Sequence, residues 1–179
     1  TLNVNYSNDQ LFASGKILQK LGDKALLNFS LRGQGLLSTE TLKGVLYVEA
    51  RSSEFFDDFL EVYDWQKINI QNIEGSSRAW ISFEGSEITS VYGDLQVSEI
   101  NWRAAEKPQP PLYNLAFSYL WQANSLNKNL VIDNFAFEWS ETQCEPADIE
   151  LIINDHYIKA LADKLNVKCV NDLALAMGI

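Results

Sequence analysis

From Ile68 to Arg103 the chain alternates apolar and polar side chains with few interruptions, and this long period-two run constrains the fold more than any other feature. Successive side chains of a strand point to opposite faces, so such a run reads as a half-buried strand pair. The same signal recurs over 2–6, 11–20, 24–33, 41–50, 68–84, 88–103, 112–123, 129–141 and 148–153, which are the candidate strands. Most strands have about 5–6 residues, whereas 68–84 reads as one run of 17. At ~3.3 Å per residue it spans roughly 55 Å. Gly75 with Ser76-Ser77 marks a candidate bulge within it.

The hairpin over 68–103 carries a register argument. A two-residue Gly85-Ser86 loop is a type II′ turn with Phe83 opposite Ile88. Continued down the strands, that register sets Trp80 beside Val91 and mixes the faces. A three-residue loop, Gly85-Ser86-Glu87, sets Ile81 opposite Val91, Ala79 opposite Gly93, Trp80 opposite Tyr92 and Arg78 opposite Asp94. A one-residue slip inverts every side chain, so the three-residue loop is preferred. Phe83, Leu95 and Val97 continue the Ile81 face. Later strands repeat the asymmetry: Tyr113, Leu115, Phe117, Tyr119 and Trp121 alternate with small or polar residues, as do Phe135, Phe137 and Trp139. A turn near Leu126 brings Phe117 opposite Phe135 and Leu115 opposite Phe137.

Three stretches depart from alternation. Residues 53–62 read as a short helix capped by Ser52 or Ser53, with Phe55, Phe56, Phe59 and Leu60 on one face. Residues 155–165 read as a second, capped by Asn154 or Asp155 and striped by Ile158, Leu161 and Leu165, and 169–177 as a third. Lys107-Pro108-Gln109-Pro110-Pro111 reads as a loop between strands, since proline cannot donate to a ladder. Gly33-Gln34-Gly35 reads as a turn. The expected fold is therefore mainly β with short helices. It is a long-stranded, twisted antiparallel sheet, curled into a groove or flattened as a sandwich, apolar inside and polar outside. Within it 1–50 and 68–141 are meanders, the latter followed by strand 148–153 and the two C-terminal helices.

Composition removes several function classes. Lys plus Arg is 14 against 24 Asp plus Glu, a net charge of −10, which disfavours nucleic acid and anionic membrane surfaces. Apolar residues make up 46%, too many for a disordered chain, and no apolar run approaches the ~20 residues of a membrane-spanning helix. Two cysteines and one histidine cannot build the usual zinc sites, and no cofactor is expected. No nucleophile elbow, phosphate loop or metalloprotease motif is present. No catalytic residue is nominated. A glycosidase needs two carboxylates ~5–9 Å apart, but Asp57, Asp58 and Asp64 read as solvated charges and His156 as a surface residue at a helix start. Starting at Thr1 without a leader, the chain reads as a mature chain or one fragment of a larger protein.

The stretch Gly44-Val45-Leu46-Tyr47-Val48-Glu49, the following short helix, Trp80-Ile81-Ser82-Phe83 and Ile88 to Val97 resemble the YhdP branch of the AsmA-like family. Leu115 to Trp121, Leu130 to Phe137 and the strand-then-helix at Ile149–Leu165 continue the resemblance, which covers roughly residues 40–165. It implies a segment of a periplasmic, bridge-like lipid-transfer protein of the Gram-negative envelope. Such a protein is anchored in the inner membrane by an N-terminal helix that this chain lacks, and it moves phospholipid toward the outer membrane and maintains its permeability barrier. The implied partners are phospholipid acyl chains and neighbouring segments of the same protein. The implied lipid-facing set is Ile81, Phe83, Val91, Leu95, Val97, Leu115, Phe117, Tyr119, Trp121, Phe135, Phe137 and Trp139. A periplasmic setting permits a disulfide between Cys144 and Cys169; two free buried thiols are the alternative. A second class of function is a carbohydrate-binding β-sandwich, given five tryptophans and seven tyrosines.

Overall fold

The computed structural model describes residues 2–18, 25–35, 42–51, 68–104, 107–123, 127–140, 142–154 and 156–177. The expected helix 53–62 and Asp57, Asp58 and Asp64 lie outside them. In chain order the elements are β1 (Leu2–Ser7), β2 (Gln10–Leu18), β3 (Ala25–Gln34), β4 (Lys43–Ala50), β5 (Ile68–Glu84), β6 (Glu87–Ala104), β7 (Lys107–Pro108), β8 (Leu112–Ala123), β9 (Lys128–Trp139), β10 (Thr142–Ile153), β11 (Ile158–Asp163) and α1 (Val167–Met177). All the strands belong to one open antiparallel sheet of 11, laid out in sequence order with the two-residue β7 paired to β6 off the main path. This is one sheet, so the β-sandwich alternative finds no second sheet among the described residues.

The 17-residue run at 68–84 is a single strand, β5, and its partner β6 has 18 residues. Both hairpin registers are present. Gly85-Ser86 is a two-residue loop with Glu84 opposite Glu87 and Phe83 opposite Ile88, and Gly85 at φ 61 fits the first position of a type II′ turn. Thr89 then bulges out of β6, and from Ser82–Ser90 inward the pairs are Ile81–Val91, Trp80–Tyr92, Ala79–Gly93 and Arg78–Asp94. The expected three-residue loop is thus corrected to a two-residue loop plus a bulge, which shifts the register by the same one residue.

Such bulges recur, and each has the same consequence. Directly paired residues share a face, so the ladder can be followed strand by strand. One face, called A here, carries Leu31, Leu46, Ile81, Val91, Trp121, Leu130 and Leu151 in one row. Extra residues at Gln71, Ser98, Asn114 and Asn134 each flip the parity of their strand. As a result Ile70 and Ile73, Val97 and Ile100, Leu112 and Leu115, and Ile132 and Phe135 all stay on face A although each pair is three residues apart. Glu145-Pro146 does the same for Cys144 and Ala147, at a site where proline's missing N–H costs no ladder bond. The bulges carry their own polar partners: Thr89 Oγ1 donates to the Ser82 carbonyl, Ser98 Oγ to the Glu74 carbonyl, and Asn134 N to Asp148 Oδ1. Asn114 and Asn134 sit at φ 52 and 55, a conformation that asparagine tolerates better than most residues. Tyr113, expected among the apolar side chains, is turned by the Asn114 bulge to the opposite face, B, where it pairs with Glu138 and is exposed.

The C-terminal quarter corrects two expectations. The candidate strand 148–153 starts earlier, at Thr142, because residues 142–147 pair with the end of β9. The expected helix 155–165 is strand β11, paired along its length with β10 from Ile153–Ile158 to Asp148–Asp163. Asn154 does cap, but it caps a turn: its Oδ1 accepts the N–H groups of His156 and Tyr157, and its own N–H donates to the Tyr157 carbonyl. His156 is therefore an exposed turn residue, not a helix start. The third expected helix is α1, capped by Asn166, whose Oδ1 accepts the Cys169 N–H.

The proline segment is a loop only in part: Lys107 and Pro108 form the short β7 against Ala104 and Arg103, a sheet-edge position that tolerates proline, and residues 109–111 lead on to β8. Gln109 N donates to the Trp102 carbonyl and Trp102 Nε1 to the Pro110 carbonyl, so the loop folds back over a buried tryptophan. Gly33 and Gln34 finish β3, and the turn falls on Gly35 at φ 124.

Candidate functional site

The twelve nominated side chains all fall on face A of β5, β6, β8 and β9. They do not sit alike. Val97 is buried against Ile73, with Leu95 and Leu115 packed beside it. Phe137 is 3% exposed in a cluster with Cys144 and Cys169, beneath α1 and bordered by Leu115, Phe135, Trp139 and Leu173. The other ten are half-buried. Phe117 lies 5.9 Å from Phe135 and 6.2 Å from Tyr119, and Phe135 lies 5.5 Å from Phe137, all between tilted ring centroids. This aromatic strip lies across β8 and β9 and leads toward α1.

Cys144 and Cys169 form a disulfide, with Cα atoms 6.0 Å apart. It ties α1 to the start of β10, so the helix covers one end of the strip. The buried apolar set among the described residues is short, mostly single residues per strand, as a one-layer sheet dictates.

Two glycines let aromatic rings lie across the sheet. Phe83 covers its partner Gly44, and Tyr119 covers Gly93. A Cβ at Gly93 would stand 2.5 Å from both the Arg78 carbonyl and the Tyr119 hydroxyl. The ring could swing away, but the backbone could not, so Gly93→Ala should cost about 1–3 kcal/mol. A lowered urea midpoint at unchanged m-value is the expected readout; an unchanged midpoint would contradict the close approach. Burial, with a smaller contribution from the Asp94 carboxylate, raises the Tyr119 phenol above its ordinary pKa, so it stays neutral and compatible with an apolar surface.

Face B is more polar but not uniformly so. Arg78 donates to Asp94 from Nε at 3.1 Å and from Nη2 at 3.0 Å, the cross-strand pair expected from the sequence. Glu49 accepts from Arg51 Nε and Nη2 and from Asn28, and the Arg51 hydrogen bond is the main reason its carboxyl lies below the usual range. Trp80 lies on this face, not on A, with ring centroids 5.1 Å from Tyr47 and 5.5 Å from Tyr92. Sequence reasoning paired Trp80 with Tyr92 but missed Tyr47; the cross-strand partner in β4 follows only from the β4–β5 register.

No grouping of His, Cys, Asp and Glu suited to a metal ion occurs among the described residues. No helix of the described residues is long and apolar enough to cross a membrane. Comparison of the chain with protein-family models, curated proteins and solved structures finds no match.

Proposed function

We propose that this chain is a non-enzymatic segment of a periplasmic AsmA-like envelope protein, and that face A, curled into a groove, carries phospholipid acyl chains between the inner and outer membranes. The observation that carries the reading is the continuity of face A. Five bulged sites restore its apolar parity along strands far longer than a small core needs. An acyl chain needs a dry, unbroken lining, worth ~0.8 kcal/mol per buried CH2. A conduit has no use for a deep, specific pocket, and the half-buried side chains of β5, β6 and β8 present a shallow surface instead. The disulfide suits the oxidising periplasm. Every residue of the outermost strands, β1 and β11, is exposed, and neighbouring segments of the same protein would continue the sheet there.

The test is site-specific photocrosslinking in the full-length protein in cells, with the probe at Leu95 and Phe117 on face A and at Gln96 and Ser118 on face B. Phospholipid adducts at 95 and 117 but not at 96 and 118 are expected. Absence of adducts at all four sites in folded, expressed protein would make face A a plain core.

A further inference from the structure

Face B holds a second feature that lipid passage over face A does not use. Between β1 and β5 lies a concavity of about 770 Å³. The ladder aligns one row of its side chains across five strands: Asn3, Ser14, Ser30, Tyr47 and Trp80. Phe12 and Arg32 stand in the adjacent row, opposite one another. The serines are the smallest members of the first row, so the floor drops between an amide end and an aromatic end. Four strand spacings of ~4.8 Å put those ends roughly 19 Å apart. That is a trough for an extended molecule, not a seat for a compact ion.

Its chemistry is mixed in a specific way. The Asn3 amide and the Ser14 and Ser30 hydroxyls can each donate and accept hydrogen bonds. Tyr47 and Trp80 close one end with an apolar wall. The Arg32 guanidinium lies over the Phe12 ring at 5.6 Å from its centroid. Arg51 and Arg78 are matched by Glu49 and Asp94, but Arg32 has no carboxylate partner among the described residues. Among the described residues no Asp or Glu lines the concavity, although the chain carries a net charge of −10. The nearby Glu49 carboxylate is engaged by Arg51, by Asn28 and by the Tyr47 hydroxyl.

We propose that this trough binds a linear oligosaccharide bearing carboxylate groups. Arg32 holds a carboxylate by charge-assisted hydrogen bonds, Asn3, Ser14 and Ser30 meet ring hydroxyls, and the Tyr47–Trp80 end takes an apolar sugar edge. Inorganic phosphate would satisfy the guanidinium alone and leave the rest of the trough idle. The site lies on the opposite face from the proposed lipid path, so either can stand without the other.

Isothermal titration of the purified chain with tetragalacturonate tests this, with cellotetraose and inorganic phosphate alongside. Tetragalacturonate should bind saturably, and cellotetraose at least about tenfold more weakly, since it lacks the group Arg32 holds. Arg32→Gln should weaken tetragalacturonate by about tenfold or more, and Ser30→Phe, which fills the floor, should abolish binding of both sugars. Arg32 is exposed, so its replacement keeps the test decisive even where Ser30→Phe disturbs the strand. No binding at millimolar tetragalacturonate, affinity unchanged in Arg32→Gln, or phosphate bound as tightly as the tetrasaccharide would each overturn the proposal.

Discussion

Deleting Asn134 should abolish cooperative folding. The residue is the extra one in β9, and without it Phe135, Phe137 and Trp139 rotate to face B while Leu130 and Ile132 remain on face A. Withdrawing the buried Phe137 forfeits about 1.5–3 kcal/mol, and the half-buried Phe135 and Trp139 about half as much each. Together they reach the lower end of the stability of an ordinary domain, about 5–15 kcal/mol. The Cys144–Phe137–Cys169 cluster would also be split, because Phe137 would leave it. Asn134→Gly is the control: it keeps the residue count, and glycine accepts φ 55 readily, so it should fold normally. The readouts are near-ultraviolet circular dichroism and the sharpness of thermal unfolding. A deletion variant that melts within a few degrees of the parent would show that the bulge does not set the face.

The second large effect concerns the disulfide. Replacing Cys144 and Cys169 together by alanine should cost about 3 kcal/mol, the loop-closure value for a cross-link of this span, whose partners are 25 residues apart. For a chain of this size that lowers Tm by roughly 10 °C. The loss should concentrate in α1, which the bridge and Leu173 hold against Phe137. Faster amide exchange in 167–177 than in β5 and β6 is the expected local signature. The folded, unreduced protein should also resist thiol alkylation. A Tm indifferent to reductant, or ready alkylation before unfolding, would mean that the two sulfurs are not bridged.

Much of this architecture was legible because strand alternation is local. Each long run is recognisable from its own residues, and nine strands can be placed without reference to their partners. The twelve face A positions followed because each was counted within a regular stretch of its own strand. Tyr113 failed because Asn114 breaks the count beside it, and the Gly85 loop was misread because the Thr89 bulge mimics a longer turn. A signal for these breaks was present. Apolar residues spaced by three inside an alternating run, such as Leu112 and Leu115 or Ile132 and Phe135, flank a polar residue able to take unusual backbone geometry or to satisfy it.

Nine of the strands, the face of each side chain within an unbroken alternating stretch, and the inner register of the 68–103 hairpin follow from local sequence, because each rests on a two-residue backbone repeat and nearest-neighbour pairing. Long-range pairing settles what remains. Ile158–Asp163, rich in Ala, Leu and Lys, has residues that favour a helix, yet it becomes β11 because the open edge of β10 supplies a full set of backbone partners. Trp80 found Tyr47, and Asn3, Ser14, Ser30 and Arg32 came into one trough, through contacts between strands far apart in sequence. Such long-range pairings leave no mark within a local window, since what selects them is the register of every intervening strand.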